Sequence, residues 1–346
     1  MNKYALILSF ILILSLSSAQ FIIKPQLNVG NQAENLPPCI KRVTQFGERP
    51  DWSFNGKKLL FVEKTYGDFY EVELATGKIF LITGHFYYGG FIRTLYLASG
   101  DVLLSGNIRY DDANPYIHRT IKAELWILDK SYTKPPLRIG TKCYKCEAIS
   151  RKNMKTAWTS RDRQYHDSFK PRKYLFNIED IVYENGIPKL ANKKIIVSNL
   201  GTPYKDIEVQ NFVPSDEKTL TFSAYRFLAS EGMLLNLENG TVINMSNAPD
   251  QYEEPERVFP DGKSCYVGSA KKPVTINIYK LRLDGKSTLD RMTYFSDYKG
   301  YKSLNPVISN DGKFMAFQIG KYKDLAGVGY GIFIMDLAKA KNRILN

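Results

Sequence analysis

One segment of the chain keeps coming back. Arg49-Pro-Asp-Trp-Ser-Phe-Asn-Gly-Lys-Lys-Leu-Leu-Phe61 returns in degraded form as Asn305-Pro-Val-Ile-Ser-Asn-Asp-Gly-Lys-Phe-Met-Ala-Phe317. A third copy runs Glu256-Arg-Val-Phe-Pro-Asp-Gly-Lys-Ser-Cys-Tyr-Val267. Each copy reads as strand, tight Asn-Gly or Asp-Gly turn, strand, because those dipeptides supply the positive φ that two-residue hairpin turns need. Self-similarity at a period of about 50 residues marks a repeat architecture. It constrains the fold strongly and leaves the chemistry open.

The units can be anchored on the hydrophobic residue that ends each first strand: Trp52, Tyr96, Ile149, Phe212, Val258 and Ile308. The turns that follow are Asn55-Gly56, Ser99-Gly100, Lys152-Asn153, Asp216-Glu217, Asp261-Gly262 and Asp311-Gly312, degraded in the third and fourth units. A third strand recurs at 69–77, 124–129, 233–240, 278–285 and 332–336, with period-2 alternation and aromatic enrichment. A fourth follows the glycine, as at 79–83 and 241–244. Four antiparallel strands in each of six units predict an all-β, six-bladed β-propeller. Such closure leaves few exposed strand edges. Ile40-Lys-Arg-Val-Thr-Gln-Phe46 reads as a fourth strand without its first three, so it is expected to complete the final blade from the N-terminal side.

The run Arg42-Val-Thr-Gln-Phe-Gly47, then 49–61, then Tyr70-Glu-Val-Glu-Leu-Ala-Thr-Gly77, resembles the repeat of TolB-like propellers over nearly the whole mature chain. The resemblance implies a secreted or periplasmic propeller. TolB itself carries an α/β domain ahead of its propeller, whereas here about 20 residues separate the leader from the first strand. Similar propellers precede the hydrolase domain of prolyl-oligopeptidase-type peptidases, but this chain has no Gly-x-Ser-x-Gly elbow to carry a nucleophilic serine. Gly327-Val-Gly-Tyr-Gly331 lacks the spacing of a phosphate-cradling loop.

Residues 1–19 read as a cleavable signal peptide: Lys3, an apolar run from Tyr4 to Leu16, then Ser17-Ser18-Ala19. Residues 20–39 form a lead-in segment and 40–346 the propeller. No later run is long enough for a transmembrane helix. The net charge of +13 points, for an exported chain, to acidic polysaccharide, acidic protein or anionic surface rather than nucleic acid. Cys39, Cys143, Cys146 and Cys265 permit two disulfides in an oxidising compartment, with Cys143–Cys146 the local pair and Cys39 and Cys265 left as a second pair or as two free thiols. Asn239 and Asn244 begin glycosylation sequons, relevant to a eukaryotic host.

Binding residues concentrate on loops held by a rigid scaffold. Two loops joining second and third strands are long, 106–120 and 161–170. The first offers Arg109, Tyr110, Asp111, Asp112, Tyr116 and His118, and the second Arg161, Asp162, Arg163, Tyr165, His166 and Asp167. Arg and Tyr suit recognition of proteins or sugars. His85, His118 and His166 fall on the same face, where imidazoles with neighbouring aspartates can bind a divalent metal, or one histidine can act as general base on an acidic sugar. Asp51, Glu253, Glu254 and Glu256 are further candidates to line the channel. Two functions follow as expectations. One is a monomeric binding module for an extracellular protein or acidic polysaccharide. The alternative is a metal-assisted polysaccharide lyase or hydrolase, with His118 and His166 as catalytic candidates.

Overall fold

The computed structural model describes residues 27–110, 117–161, 164, 174–197, 204–226, 229–270, 275–324 and 327–344, without the side chains of 146, 197 and 341–344. Strand β1 (Ile40–Arg42) stands alone at the N-terminal end. The first antiparallel quartet is β2–β5 (Glu48–Trp52, Lys58–Val62, Phe69–Glu73, Ile79–Leu81). The second is β6–β9 (Phe91–Tyr96, Val102–Gly106, Glu124–Leu128, Leu137–Lys142). The third is β10–β13 (Tyr144–Ile149, Lys155–Arg161, Tyr174–Glu184, Ile187–Val197). Strands β14–β17 (Asp206–Phe212, Thr219–Tyr225, Ser230–Asn236, Val242–Asn244) and β18–β21 (Tyr252–Val258, Ser264–Ala270, Asn277–Arg282, Leu289–Arg291) share one eight-stranded sheet. That sheet is joined only by a parallel pair, Ser230 with Tyr252. This pair divides the sheet into two quartets, which gives six quartets among the described residues. The last comprises β22–β24 (Tyr301–Ile308, Phe314–Lys321, Ile332–Asp336) and β1.

The ring is closed by packing as well as by pairing. Each of the hydrophobic clusters joins neighbouring quartets: Leu60 and Phe69 meet Phe91 and Leu104, Ile92 and Leu125 meet Ile149 and Trp158, and Phe176 meets Phe222. Met245 then meets Cys265 and Val267, Tyr266 and Ile278 meet Phe317 and Phe333, and Ala316 and Ile334 return to Trp52 and Phe61. β1 pairs antiparallel to β24, with Ile40 opposite Met335 and Arg42 opposite Phe333. The closing strand is therefore the one expected, though shorter than 40–46.

All six anchors end the first strand of their quartet, from Trp52 on β2 to Ile308 on β22. Two elements differ from the sequence reading. The third quartet carries a long hairpin of two 11-residue strands, β12 and β13, around Asn185-Gly186. The last strand runs into the helix α1 (Leu337–Ile344), whose first turn is capped by Asp336 Oδ1 accepting from the backbone N–H groups of Ala338 and Lys339. The leader lies outside the described residues. Among those described, no helix is long and apolar enough to cross a membrane.

The cysteine reading needs correction. Cys265 makes no disulfide; it lies on β19, in the cluster with Met245 and Leu281, whereas Cys39 packs beside Ile40 and Met335. Each is fixed in a different inter-quartet core, so the Cys39–Cys265 pair does not form. The Cys146 side chain, and with it the local pair, lies outside the described residues.

Candidate ligand-binding site at the channel mouth

The innermost strand of every quartet is bulged at the same place. The register shifts between Glu48 and Asp51, Phe91 and Arg93, Tyr144 and Glu147, Val209 and Asn211, Pro255 and Val258, and Leu304 and Val307. A bulge adds a residue to one strand and re-aims its side chains. Here it turns polar groups towards the axis: Arg49, Arg93, Glu147, Gln210, Glu256 and Asn305 line the channel. Three bulges force a non-glycine residue into the left-handed region, Arg49 (φ 52°), Lys145 (φ 62°) and Asn305 (φ 49°). Such backbone is held only where surrounding bonds over-determine it. At Arg49 those bonds are visible: its N–H donates to Gln318 Oε1 at 2.5 Å and its Nη1 to the Ile92 carbonyl at 2.7 Å.

The turn-side end of the channel is occupied by the protein's own charges. Asp51 is buried and accepts from Arg257 Nη2 and, at 2.9 Å, from the Tyr96 N–H. Arg151 Nη1 lies 3.5 Å from the same carboxylate, and its guanidinium stacks 4.1 Å from the Phe54 ring centroid. Burial lowers the Arg151 pKa to about 10, against the pull of Asp51. One carboxylate facing two buried guanidiniums makes a structural plug.

The other end opens into a cup of about 260 Å³. This is the face of the loops joining second to third strands. Its cations are Arg49, Arg93, Arg119, Lys145, Lys302 and Lys321; its carboxylates are Glu48, Glu208 and Glu254. Glu48 is already engaged by Thr65 Oγ1 at 2.6 Å and Gln318 Nε2 at 3.4 Å. The remaining acidic groups sit on one wall, from β14 and β18. There the Tyr225 hydroxyl lies 2.9 Å from Glu208 and 2.7 Å from Glu254, and Tyr252 donates to Glu254. Burial and these carboxylates push both phenols well above their ordinary pKa, so they are donors. The Lys145 ammonium lies 3.3 Å from Asp206 and 3.2 Å from Glu208, over the Tyr225 ring at 4.1 Å. Its pKa is raised: burial opposes the charge, but Glu208 and Asp206 outweigh it. Deeper in the channel, burial pushes Glu147 up to about 7.

The expected site residues divide sharply. Glu254 and Glu256 line the channel, Asp51 belongs to the plug, and Glu253 is buried away from the channel against Ser269. Arg109 and Tyr110 are exposed. His118 is not a loop histidine open to ligand: at 1% exposure it starts a helical turn (His118–Lys122) and packs against Tyr66 and Tyr110. His85 is exposed beside Phe86. Among the described residues, no group of three histidine, cysteine, aspartate or glutamate side chains is placed to hold a metal. Arg161 stacks on Tyr144 and Tyr174 rather than facing the cup. Asp111, Asp112, Tyr116, Asp162, Arg163, Tyr165, His166 and Asp167 lie outside the described residues. Asn239 is exposed in its turn, whereas the Asn244 amide donates to Glu231 at 2.6 Å and so is occupied. Sequence reading missed Arg49, Arg93, Arg119 and Lys145; charged residues near the start of inner strands were the available signal for the first two and Lys145, and the long loop 106–120 for Arg119.

No protein-family model matches the chain, and no curated protein matches it. Solved structures share the propeller fold. The chain is similar to oligogalacturonate lyase from Vibrio parahaemolyticus at 13% identity, covering 86% of this chain and 93% of that one, with a TM-score of 0.48. It is similar to TolB from Acinetobacter baumannii at 16% identity, covering 84% and 67%, with a TM-score of 0.43. The β-propeller domain of the Trilobed protease from Pyrococcus furiosus matches at 10% identity, covering 84% and 81%, with a TM-score of 0.48. The fold of this chain is a β-propeller, carried by its own strand pairing and closed packing.

Proposed function

We propose that this protein is a secreted or periplasmic binding module whose ligand site is the channel-mouth cup, and that it takes an acidic extracellular ligand. The observation that supports this is the charge of the cup, whose described lining holds six cations, Arg49, Arg93, Arg119, Lys145, Lys302 and Lys321, and three carboxylates, with Asp206 beside Lys145 and Glu147 and Glu256 deeper in the channel. Guanidinium groups suit carboxylate because they donate two parallel hydrogen bonds. The plug behind Asp51 makes the site a blind cup rather than a passage. Its size suits the end of an acidic polysaccharide or a terminal segment of a protein, not the middle of a polymer.

The test is calorimetric titration of trigalacturonate, with a neutral maltotriose control, into the wild type and an Arg93→Gln, Arg119→Gln double variant. Saturable binding of the acidic sugar alone is expected. The double variant is expected to weaken it roughly 100-fold, as for two lost charge-assisted hydrogen bonds. Equal binding by wild type and variant would defeat the assignment of the cup. Release of an unsaturated product during titration would move the reading from binding module to lyase.

A further inference from the structure

The cup is not uniformly basic. Its cations come from the quartets at either end of the chain, from β6 and β10, and from the turn His118–Lys122 before β8, whereas Glu208 and Glu254 stand together on β14 and β18. Glu254 is half-buried and faces the cup, yet has no ion pair among the described residues. Its hydrogen-bond partners are neutral, the Tyr225 and Tyr252 hydroxyls and Gln210 Nε2 at 3.4 Å, and the Lys145 ammonium acts on it only from beyond ion-pair distance. The Tyr225 hydroxyl has one proton for two carboxylates, so it can satisfy Glu208 or Glu254 but not both. Below them Gln210, 1% exposed and lining the channel, has a carbonyl oxygen with no hydrogen-bond partner among the described residues. A buried acceptor left unmade is costly. This wall therefore presents acceptors and aromatic surface in excess of donors, inside a site otherwise rich in donors. The protein shows what such a wall holds: Lys145 places its own ammonium against Glu208 and over the Tyr225 ring.

We infer that Glu254, with Tyr252 and Tyr225, forms a subsite for a primary ammonium group on the same small ligand whose anionic group meets Arg49 and Arg93. The preferred ligand is then a compact zwitterion end, with an amine and a carboxylate close together, which adds a second contact to the one an acidic sugar makes. Two chemical sources carry that pair, the free amino terminus of an acidic peptide and an amino sugar acid. This inference rests on the acidic-ligand reading of the cup and adds a second, opposite contact to it. A cavity of about 260 Å³ holds a dipeptide or a single sugar.

The experiment compares pairs that differ only in the amine: alanyl-glutamate with N-acetyl-alanyl-glutamate, and muramic acid with N-acetylmuramic acid. Each is titrated calorimetrically into the full protein. In at least one pair the free amine is expected to bind ten-fold or more tightly than its acetylated form, and the pair that responds identifies the source. Glu254→Gln is expected to bring the free amine down to the acetylated level while leaving the acetylated form unchanged. Equal affinities within both pairs on the wild type overturn the inference, and that comparison needs no variant to fold. So does a Glu254→Gln variant that weakens both members alike. If trigalacturonate binds and neither amine does, the ammonium subsite falls while the acidic-ligand reading stands. If no probe binds at all, both fall.

Discussion

At the scale of single residues, the channel shows why charged side chains sit where a β-core would exclude them. Glu147 is fully buried on β10 and faces the channel. Burial raises its carboxyl from 4.5 to about 7, with Arg93 and Arg49 acting in the opposite sense. The native state therefore holds the proton more tightly than the unfolded chain does. The native contribution of Glu147 is most favourable below pH 4.5, is lost as pH rises towards 7, and is constant above it. Glu147→Gln fixes the neutral form. Urea unfolding should show wild type and variant equally stable near pH 4, and the variant more stable by about 3 kcal/mol at pH 8. A wild type that is the more stable at pH 8 would mean that Glu147 is held as a carboxylate by its arginines.

At the scale of elements, two devices build the site. The first is the repeated bulge, which turns each inner strand and delivers its polar residues to the axis. The second is β1, three residues that close the ring. Ile40 is buried among Cys39, Met335 and Phe333 and stands opposite Met335 on β24. Ile40→Ala should cost about 2–4 kcal/mol through lost burial and the cavity left behind. The loss should appear as a lower unfolding temperature, with amide exchange on β24 accelerated more than on β11. Uniform acceleration would show that closure and the rest of the ring unfold together.

At the scale of the whole molecule, the net charge of +13 is distributed over the surface, but its chemical use is local. The cup gathers six cations around a cavity whose other end is stoppered by Asp51, Arg257 and Arg151. Exposed charges are screened over roughly 8 Å at physiological salt, and enclosed ones much less. Binding of trigalacturonate should therefore weaken between 50 and 500 mM salt by roughly ten-fold and not be abolished. Complete loss by 150 mM salt would place the contact on scattered surface lysines rather than in the cup.

The sequence by itself determined the repeated unit, its turns and its anchors. Asn55-Gly56 and Asp311-Gly312 state the hairpins locally, and the apolar residue ending each inner strand fixes its register. It also carried the closing strand, because Ile40 to Arg42 has strand pattern and no sequence neighbour to pair with. The long hairpin of β12 and β13 carries its turn signal at Asn185-Gly186 and the helix α1 its cap at Asp336, but the hairpin lies in a unit where the repeat is weak and α1 beyond the last repeated strand. The site was only partly legible. Glu254 and Glu256 stood among the candidates, while Arg49, Arg93 and Lys145 did not, because a strand pattern alternates sides and a bulge breaks that alternation; Arg119 lies instead in the turn His118–Lys122. His118 read as a loop ligand and is instead packed beneath tyrosines. Facing across the channel is a property of residues some 50 positions apart, so only ring closure decides which charges meet.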